Sequence, residues 1–319
     1  MRRNDRKPAF AVLIFVAVIT VAALVSQGFG IFGANRNSKL SGDSLGYNRS
    51  FKIPGNITFA GERMPLENFD TRESLERELI ISAYRHSSTI MIIKRAHRYL
   101  PEIEKILQEN NIPDDFKYLA AAESDYSNMI SPAGATGLWQ IIAGTGKESG
   151  MEINNVVDER YDFAKSTRFA CEYFLKSYDK YHNWTLAAAS YNGGRAALEE
   201  QMRIQKEDNY YNLLLADETA RYIFRAVAYK LIINDPAEYG FDIDSGDLYQ
   251  PLRYYEVKVD TAISDFSDFA KSHGTNYKLL KYLNPWLRKP YFTPRPGKEY
   301  FIKIPSEGMR LEEYAVSDN

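Results

Sequence analysis

Glu123 is the residue whose type and setting best suit it to move a proton. It closes the run Leu119-Ala120-Ala121-Ala122, and on a helix Leu119 and Ala120 lie one turn back on its own side. Apolar neighbours disfavour charge on the carboxyl, and the negative end of the helix dipole pushes the same way. The expectation is a neutral glutamic acid near pH 7, able to donate to a glycosidic oxygen. Taken alone, a glutamate at a helix end is more often simply solvated. The stretch downstream of it changes the balance: Ser131-Pro132-Ala133-Gly134-Ala135-Thr136-Gly137-Leu138-Trp139-Gln140. Gly134 and Gly137 permit tight turns and close backbone approach. Ser131 and Gln140 carry a hydroxyl and an amide suited to sugar groups, and Leu138 and Trp139 suit support of the loop from beneath. A second glycine signal, Tyr191-Asn192-Gly193-Gly194, comes after the apolar stretch 186–190. Gly193 also reads as a plain helix C-cap, with Tyr191 in the core and Asn192 as a turn former.

Ordinary glycosidases use two carboxylates. None is placed to partner Glu123: Asp125 is two residues away, and Asp158 and Glu159 read as caps of the next helix. One acid is nonetheless enough when the substrate carries an N-acetyl group that stabilises the cation at C1. The same residue, now a carboxylate, takes the proton of the C6 hydroxyl. That hydroxyl closes onto C1 to give a 1,6-anhydro sugar without consuming water.

Helices must position these groups. Leu75, Leu79, Ile80 and Ala83 share one helical face, and helical spacing continues over 90–100 and 103–107, with Pro101 suited to a first turn. Asp114 reads as the N-cap of a helix over 115–123, and further helices are expected at 161–181, 185–190 and 218–234. After Asn234-Asp235-Pro236 the pattern changes to strand (254–259), two short helices (266–272 and 277–283) and strand (300–304). The fold class is thus mainly α, with a small βααβ module at the carboxy end. The boundaries expected are a segment 1–33, a linker 34–70, a helical domain 71–245, the module 250–306 and a tail 307–319.

Composition narrows the function. A net charge of −2 gives no support for a nucleic-acid partner, and four histidines without a HExxH or His-x-His pattern give none for a metal, so no cofactor is expected. The single cysteine, Cys171, excludes an intramolecular disulfide and reads as a small core residue. With 23 Tyr and 17 Phe the chain has rings to stack on sugars, although core packing is the commoner use. At the amino end Arg2, Arg3, Arg6 and Lys7 precede an apolar run over 9–25. That pattern keeps the basic flank in the cytoplasm and exports the downstream chain, as an uncleaved inner-membrane anchor in preference to a cleaved signal.

Four ordered blocks resemble the family-1 lytic transglycosylases, relatives of goose-type lysozyme. They are Ala122-Glu123-Ser124, Ser131 to Gln140 with Gly146 beyond, the stretch from Leu186 to Gly194, and Glu218-Thr219-Ala220-Arg221-Tyr222-Ile223. Ala143 departs from the pattern, standing where many members carry proline. The resemblance implies a lysozyme-like helical domain that cleaves the MurNAc–GlcNAc bond of peptidoglycan at the cell envelope. It implies Glu123 as acid and base, and Ser131, Gln140, Tyr191, Asn192 and Tyr222 along the glycan groove. The carboxy-terminal module resembles a degenerate lysin motif (LysM), with Val259-Asp260-Thr261 where Gly-Asp-Thr is usual. That implies either binding of N-acetylglucosamine chains or a packing module, with Trp286 exposed or in the core accordingly. A goose-type hydrolase and a non-catalytic peptidoglycan-binding scaffold are the competing functions.

Overall fold

The computed structural model describes residues 50–310; the amino-terminal anchor or signal segment and the last part of the tail lie outside them. Ten α-helices are described: α1 (Phe69–Tyr84), α2 (His86–Glu109), α3 (Leu119–Ser124), α4 (Ala143–Glu148), α5 (Phe163–Tyr181), α6 (Trp184–Gly193), α7 (Arg195–Gln205), α8 (Asp217–Asn234), α9 (Phe266–Ser272) and α10 (Tyr277–Leu283). Two short antiparallel sheets accompany them, β1 (Thr58–Phe59) with β2 (Glu62–Arg63) and β3 (Tyr254–Val259) with β4 (Tyr300–Pro305). Among the described residues no helix is long and apolar enough to cross a membrane.

The core forms around α6. Every residue from Thr185 to Ser190 is buried, because Leu186-Ala187-Ala188-Ala189 is apolar on all sides and small enough to admit neighbours closely. Helices α5 and α8 pack on it, and α1 lies along α8. Asn183 caps α6 through its side chain, and Cys171 of α5 is fully buried in the same core.

Three local expectations need correction. The stretches 90–100 and 103–107 form one helix, α2, with Pro101 inside it. Ile92, Ile93, Ala96, Ile103, Ile106 and Leu107 stay on one buried face across the proline, so burial outweighs the hydrogen bond that Pro101 cannot donate. The helix expected over 115–123 is instead a 3-10 turn, Asp114–Tyr118, followed by the short α3. Asp114 is not a cap: its carboxylate meets Lys117 Nζ at 2.6 Å, and Glu104 meets the same buried ammonium at 2.7 Å. Lastly, residues 50–70 are not a free linker. Ile57, Phe59, Met64 and Leu66 are buried in the core, and Ala60 and Gly61, both at positive φ, turn the β1–β2 hairpin. Glu62 of that hairpin accepts the backbone N–H groups of Trp184 (2.6 Å) and Thr185 (2.8 Å) at the start of α6.

The carboxy-terminal module keeps closely to the expected order. Its strands pair from Tyr254↔Pro305 to Val259↔Tyr300. Phe266, Leu280, Trp286, Phe292, Tyr300 and Ile302 form its core, so Trp286 is a core residue. Val157 and Tyr161 of the preceding domain belong to the same apolar cluster. Backbone hydrogen bonds join the two parts, from Asp158 N to Trp286 O (2.9 Å) and from Arg288 N to Val156 O (2.7 Å).

Candidate active site

Glu123 stands in the last turn of α3. The chain leaves that turn through two consecutive left-handed residues, Asp125 (φ 53°) and Tyr126 (φ 52°). Non-glycine residues hold this conformation at a cost of about 1 kcal/mol or more each. The surroundings fix it: Arg95 Nη1 donates to Asp125 O at 3.1 Å, and the buried Tyr126 donates to Lys117 O at 3.1 Å. The adjacent Ser124 hydroxyl donates to Leu138 O at 2.8 Å, which ties the helix end to the glycine loop.

The glycine loop folds on itself. Thr136 bridges to both Ile130 and Ile141, and Gly137 N donates to Met129 O at 2.9 Å. Gly137 sits at φ +83° with Arg160 O where a Cβ would be, only 2.0 Å away, so no side chain fits there. Beneath it Trp139 is fully buried and donates from Nε1 to Thr167 Oγ1 at 2.9 Å.

The Glu123 carboxyl meets α8. Tyr222 Oη donates to Glu123 Oε1 at 2.6 Å, from a residue only 1% exposed. Tyr191, at the end of α6, donates to Trp139 O at 2.7 Å, and its ring lies edge-on to Trp139. Glu123 is half-buried as a residue, with protein around its carboxyl. Burial pushes its pKa up to about 7 and the Glu218 carboxylate adds to this, against the pull of the Tyr222 hydrogen bond and Arg225. Burial, and then the charge of Glu123, hold the Tyr191 and Tyr222 hydroxyls well above their ordinary range. Both tyrosines are therefore neutral donors. No hydrogen bond or ion pair joins Glu123 to a second carboxylate among the described residues.

The other site residues named from sequence shape the surroundings. Ser131 Oγ accepts Ala135 N at 3.0 Å and closes the loop. Gln140, at φ 48°, donates from Nε2 to Gly137 O (2.7 Å) and Met129 O (3.2 Å). Asn192 Oδ1 accepts the Thr219 hydroxyl at 2.9 Å and couples α6 to α8. Arg160 was not foreseen. It is buried, forks onto Asp158 (2.9 and 2.7 Å), and donates from Nη1 to Gly134 O and Ile141 O, both at 3.1 Å. Asp158 does cap the 3-10 turn Glu159–Tyr161, but Asp162 caps α5, and Glu159 is buried against Lys165 and Lys298. An Asp-x-Arg pair in a loop gives no periodic signal, and its partners are carbonyl groups, which are the same at every position.

The family model of the transglycosylase SLT domain matches residues 101–214, which hold Glu123, the glycine loop, Tyr191 and Asn192. Over that stretch the chain is similar to the SLT transglycosylase domain. Behind it, residues 255–308 match the soluble lytic transglycosylase C-terminal LysM-like domain. Tyr222, which touches Glu123, lies beyond the SLT-matched segment but on the domain's core helix α8. Two curated relatives are the membrane-bound lytic murein transglycosylase D proteins of Escherichia coli strain K12 and of Escherichia coli O6:H1 strain CFT073. Each is 26% identical over 268 residues, covering 81% of this chain. The chain spans 58% of the length of these relatives. The mainly helical architecture with its βααβ module accords with an SLT lysozyme-like domain followed by a LysM-like one.

Proposed function

We propose that this protein is a peptidoglycan lytic transglycosylase that cleaves the MurNAc–GlcNAc β-1,4 bond and leaves 1,6-anhydro-MurNAc ends. The observation that carries this is one carboxyl, Glu123, half-buried with its pKa raised to about 7 by burial and by the nearby Glu218 carboxylate, and in hydrogen-bond contact with Tyr222. The SLT and LysM-like matches, and the murein transglycosylase names of the relatives, support the same reading. Neutral Glu123 gives its proton to the leaving O4 of GlcNAc as the C1–O4 bond breaks. The substrate's N-acetyl oxygen stabilises C1. The Glu123 carboxylate then takes the proton of the C6 hydroxyl, and O6 closes onto C1. Proton and bonds balance with no water consumed. Tyr222 steadies the carboxylate between the two half-reactions, while Ser131, Gln140, Tyr191 and Asn192 hold the groove in shape for the glycan. The setting proposed is the periplasmic face of the inner membrane, with the basic and apolar amino-terminal segment as anchor.

The test is mass analysis of fragments released from purified sacculi. Products lighter by one water than those of hydrolysis are expected; hydrolytic masses would move the assignment to a lysozyme-type hydrolase. Glu123→Gln is expected to abolish release while sacculus pelleting persists. Undiminished release by that variant would remove Glu123 from the chemistry.

A further inference from the structure

Residues 152–162, between α4 and α5, form a narrow hairpin that is held from two sides. Asn154 turns it: its Oδ1 accepts the N–H groups of Val156 (2.7 Å) and Val157 (2.9 Å), and Ile153 bridges to Asp158. On one side stands the LysM-like module. Val157 bridges to Leu287, Asp158 N donates to Trp286 O and Arg288 N donates to Val156 O. Residues 286–288 thereby extend the hairpin as a short antiparallel strand. The Arg288 guanidinium lies 4.1 Å from the centroid of the Tyr161 ring, and Lys298 reaches Glu152 (3.1 Å) and Glu159 (2.7 Å).

On the other side the hairpin holds the glycine loop through Arg160. The Arg160 and Asp158 side chains are each 11% exposed and meet in a fork, which answers the buried charge and fixes the plane of the guanidinium. The third nitrogen, Nη1, donates to the carbonyls of Gly134 and Ile141, which bracket Gly137 and Gln140. Among the described residues, the other side chains that reach the loop's backbone from outside it are neutral: Ser124 on Leu138 O and Tyr191 on Trp139 O. Ser124 follows Glu123 directly, so a displaced loop displaces the helix end that carries the acid. Asp158 is bonded to the module by its backbone and to Arg160 by its carboxylate, so a shift of one is passed to the other.

We propose, resting on the enzymatic reading given above, that Arg160 is a positioning residue for the Glu123 site and that, through Asp158, the docked module sets where the glycine loop stands. Arg160 acts on the backbone behind the loop and not on the glycan. Its contribution therefore falls on the geometry of the bound complex and is read in kcat more than in KM. A misplacement of about 1 Å near a reacting group costs about a hundredfold in rate, so small movements of the loop are enough.

The experiment uses the full chain, with soluble glycan strands from sacculi as substrate and thermal melting to show that each variant is folded. Arg160→Gln is expected to lower kcat by about ten- to a hundredfold and to leave KM within about twofold. Arg160→Lys, which keeps the charge beside Asp158 but lacks the fork, should recover part of that loss. Lys298→Met leaves the loop untouched and removes one module cation from Glu152 and Glu159; kcat should fall by about threefold. Indole N–H resonances report the loop without catalysis. That of Trp139, beneath the loop, should move in all of these variants, and that of Trp184, at the start of α6, should stay. Unchanged kcat in folded Arg160→Gln, or shifts spread equally over Trp139 and Trp184, would reduce Arg160 to a general brace and overturn the proposal. If Arg160→Gln does not fold, Lys298→Met decides by the same two readouts. Should the unaltered protein cleave no glycan, the enzymatic reading fails; a moved Trp139 resonance in Lys298→Met then still supports the module's hold on the loop, and an unmoved one overturns it.

Discussion

Glu123 is poised between its two protonation states by opposed influences at one atom. Burial favours the neutral acid that the proposed reaction needs first, and the Tyr222 hydroxyl favours the carboxylate that it needs second. Turnover that begins with the acid form should fall as pH rises through about 7, seen as the alkaline limb of kcat/KM. In Tyr222→Phe the carboxylate loses its donor, so that limb should move to higher pH. Activity should drop by about ten- to a hundredfold, the worth of a hydrogen bond to a charged group. A limb that stays in place would show that Tyr222 acts only through packing. The same shift has a consequence for stability. The folded pKa lies above the ordinary glutamate value of 4.5, so the carboxyl costs nothing below 4.5, the cost grows up to about 7, and it is constant beyond. Glu123→Gln should therefore stabilise the fold by about 1–3 kcal/mol at pH 8 and by nothing at pH 4, as read by denaturant titration at the two values.

Among the elements, the glycine loop is held from behind by a short chain of contacts. Trp286 O accepts Asp158 N, Asp158 holds Arg160, and Arg160 holds Gly134 and Ile141. Gly137 fits only because it has no side chain opposite Arg160 O. Gly137→Ala combines a strained positive φ with a backbone clash, and is expected to destabilise by about 2–4 kcal/mol and to lower activity sharply. Unchanged melting would show that the loop relaxes freely. Sequence served well for elements whose apolar residues repeat, such as α8, the module strands and its two helices. It failed where a charged partner decides the geometry, three residues away for Asp114 and 122 residues away for Trp184. Lys117 draws Asp114 away from capping. Glu62 caps α6 from 122 residues upstream.

For the whole molecule, the module is built onto the enzyme domain by charge as well as by apolar contact. Glu152, 4% exposed at its side chain, meets Arg295 at 3.0 Å and Lys298 at 3.1 Å, and accepts the Tyr300 hydroxyl at 2.7 Å. Glu159 meets Lys165 at 2.6 Å and Lys298 at 2.7 Å. Burial alone would raise both carboxyls, but these partners together hold them below the ordinary glutamate value of 4.5. Their stabilisation is thus complete above pH 4.5 and is lost as pH falls through the lower folded values. Melting temperature should drop steeply below pH 4.5. Glu152→Ala should cost about 1–2 kcal/mol at pH 7 and flatten that acid slope, because it leaves the buried Tyr300 hydroxyl without its acceptor and removes a partner from the exposed Arg295 and the half-buried Lys298. A chain ending at residue 249 uncovers Val157 and Tyr161 and removes the Trp286 carbonyl that holds Asp158. It is expected to lose cleavage of short glycans as well as sacculus binding. Retained cleavage would make the module a separable appendage.

The sequence by itself determined the helical class and the βααβ order of the module, and it pointed to Glu123 with its glycine loop as the proposed place for chemistry. Each of these rests on local pattern: apolar period, glycine placement, and one acid among small neighbours. Only the tertiary structure decided that Tyr222 from a helix 99 residues away lies against the Glu123 carboxyl. It also decided that Arg160 braces the loop and that the module holds Asp158 behind it. Those facts depend on which distant groups share a buried volume, where desolvation favours a partner for a charge or hydroxyl, and no spacing along the chain records that choice.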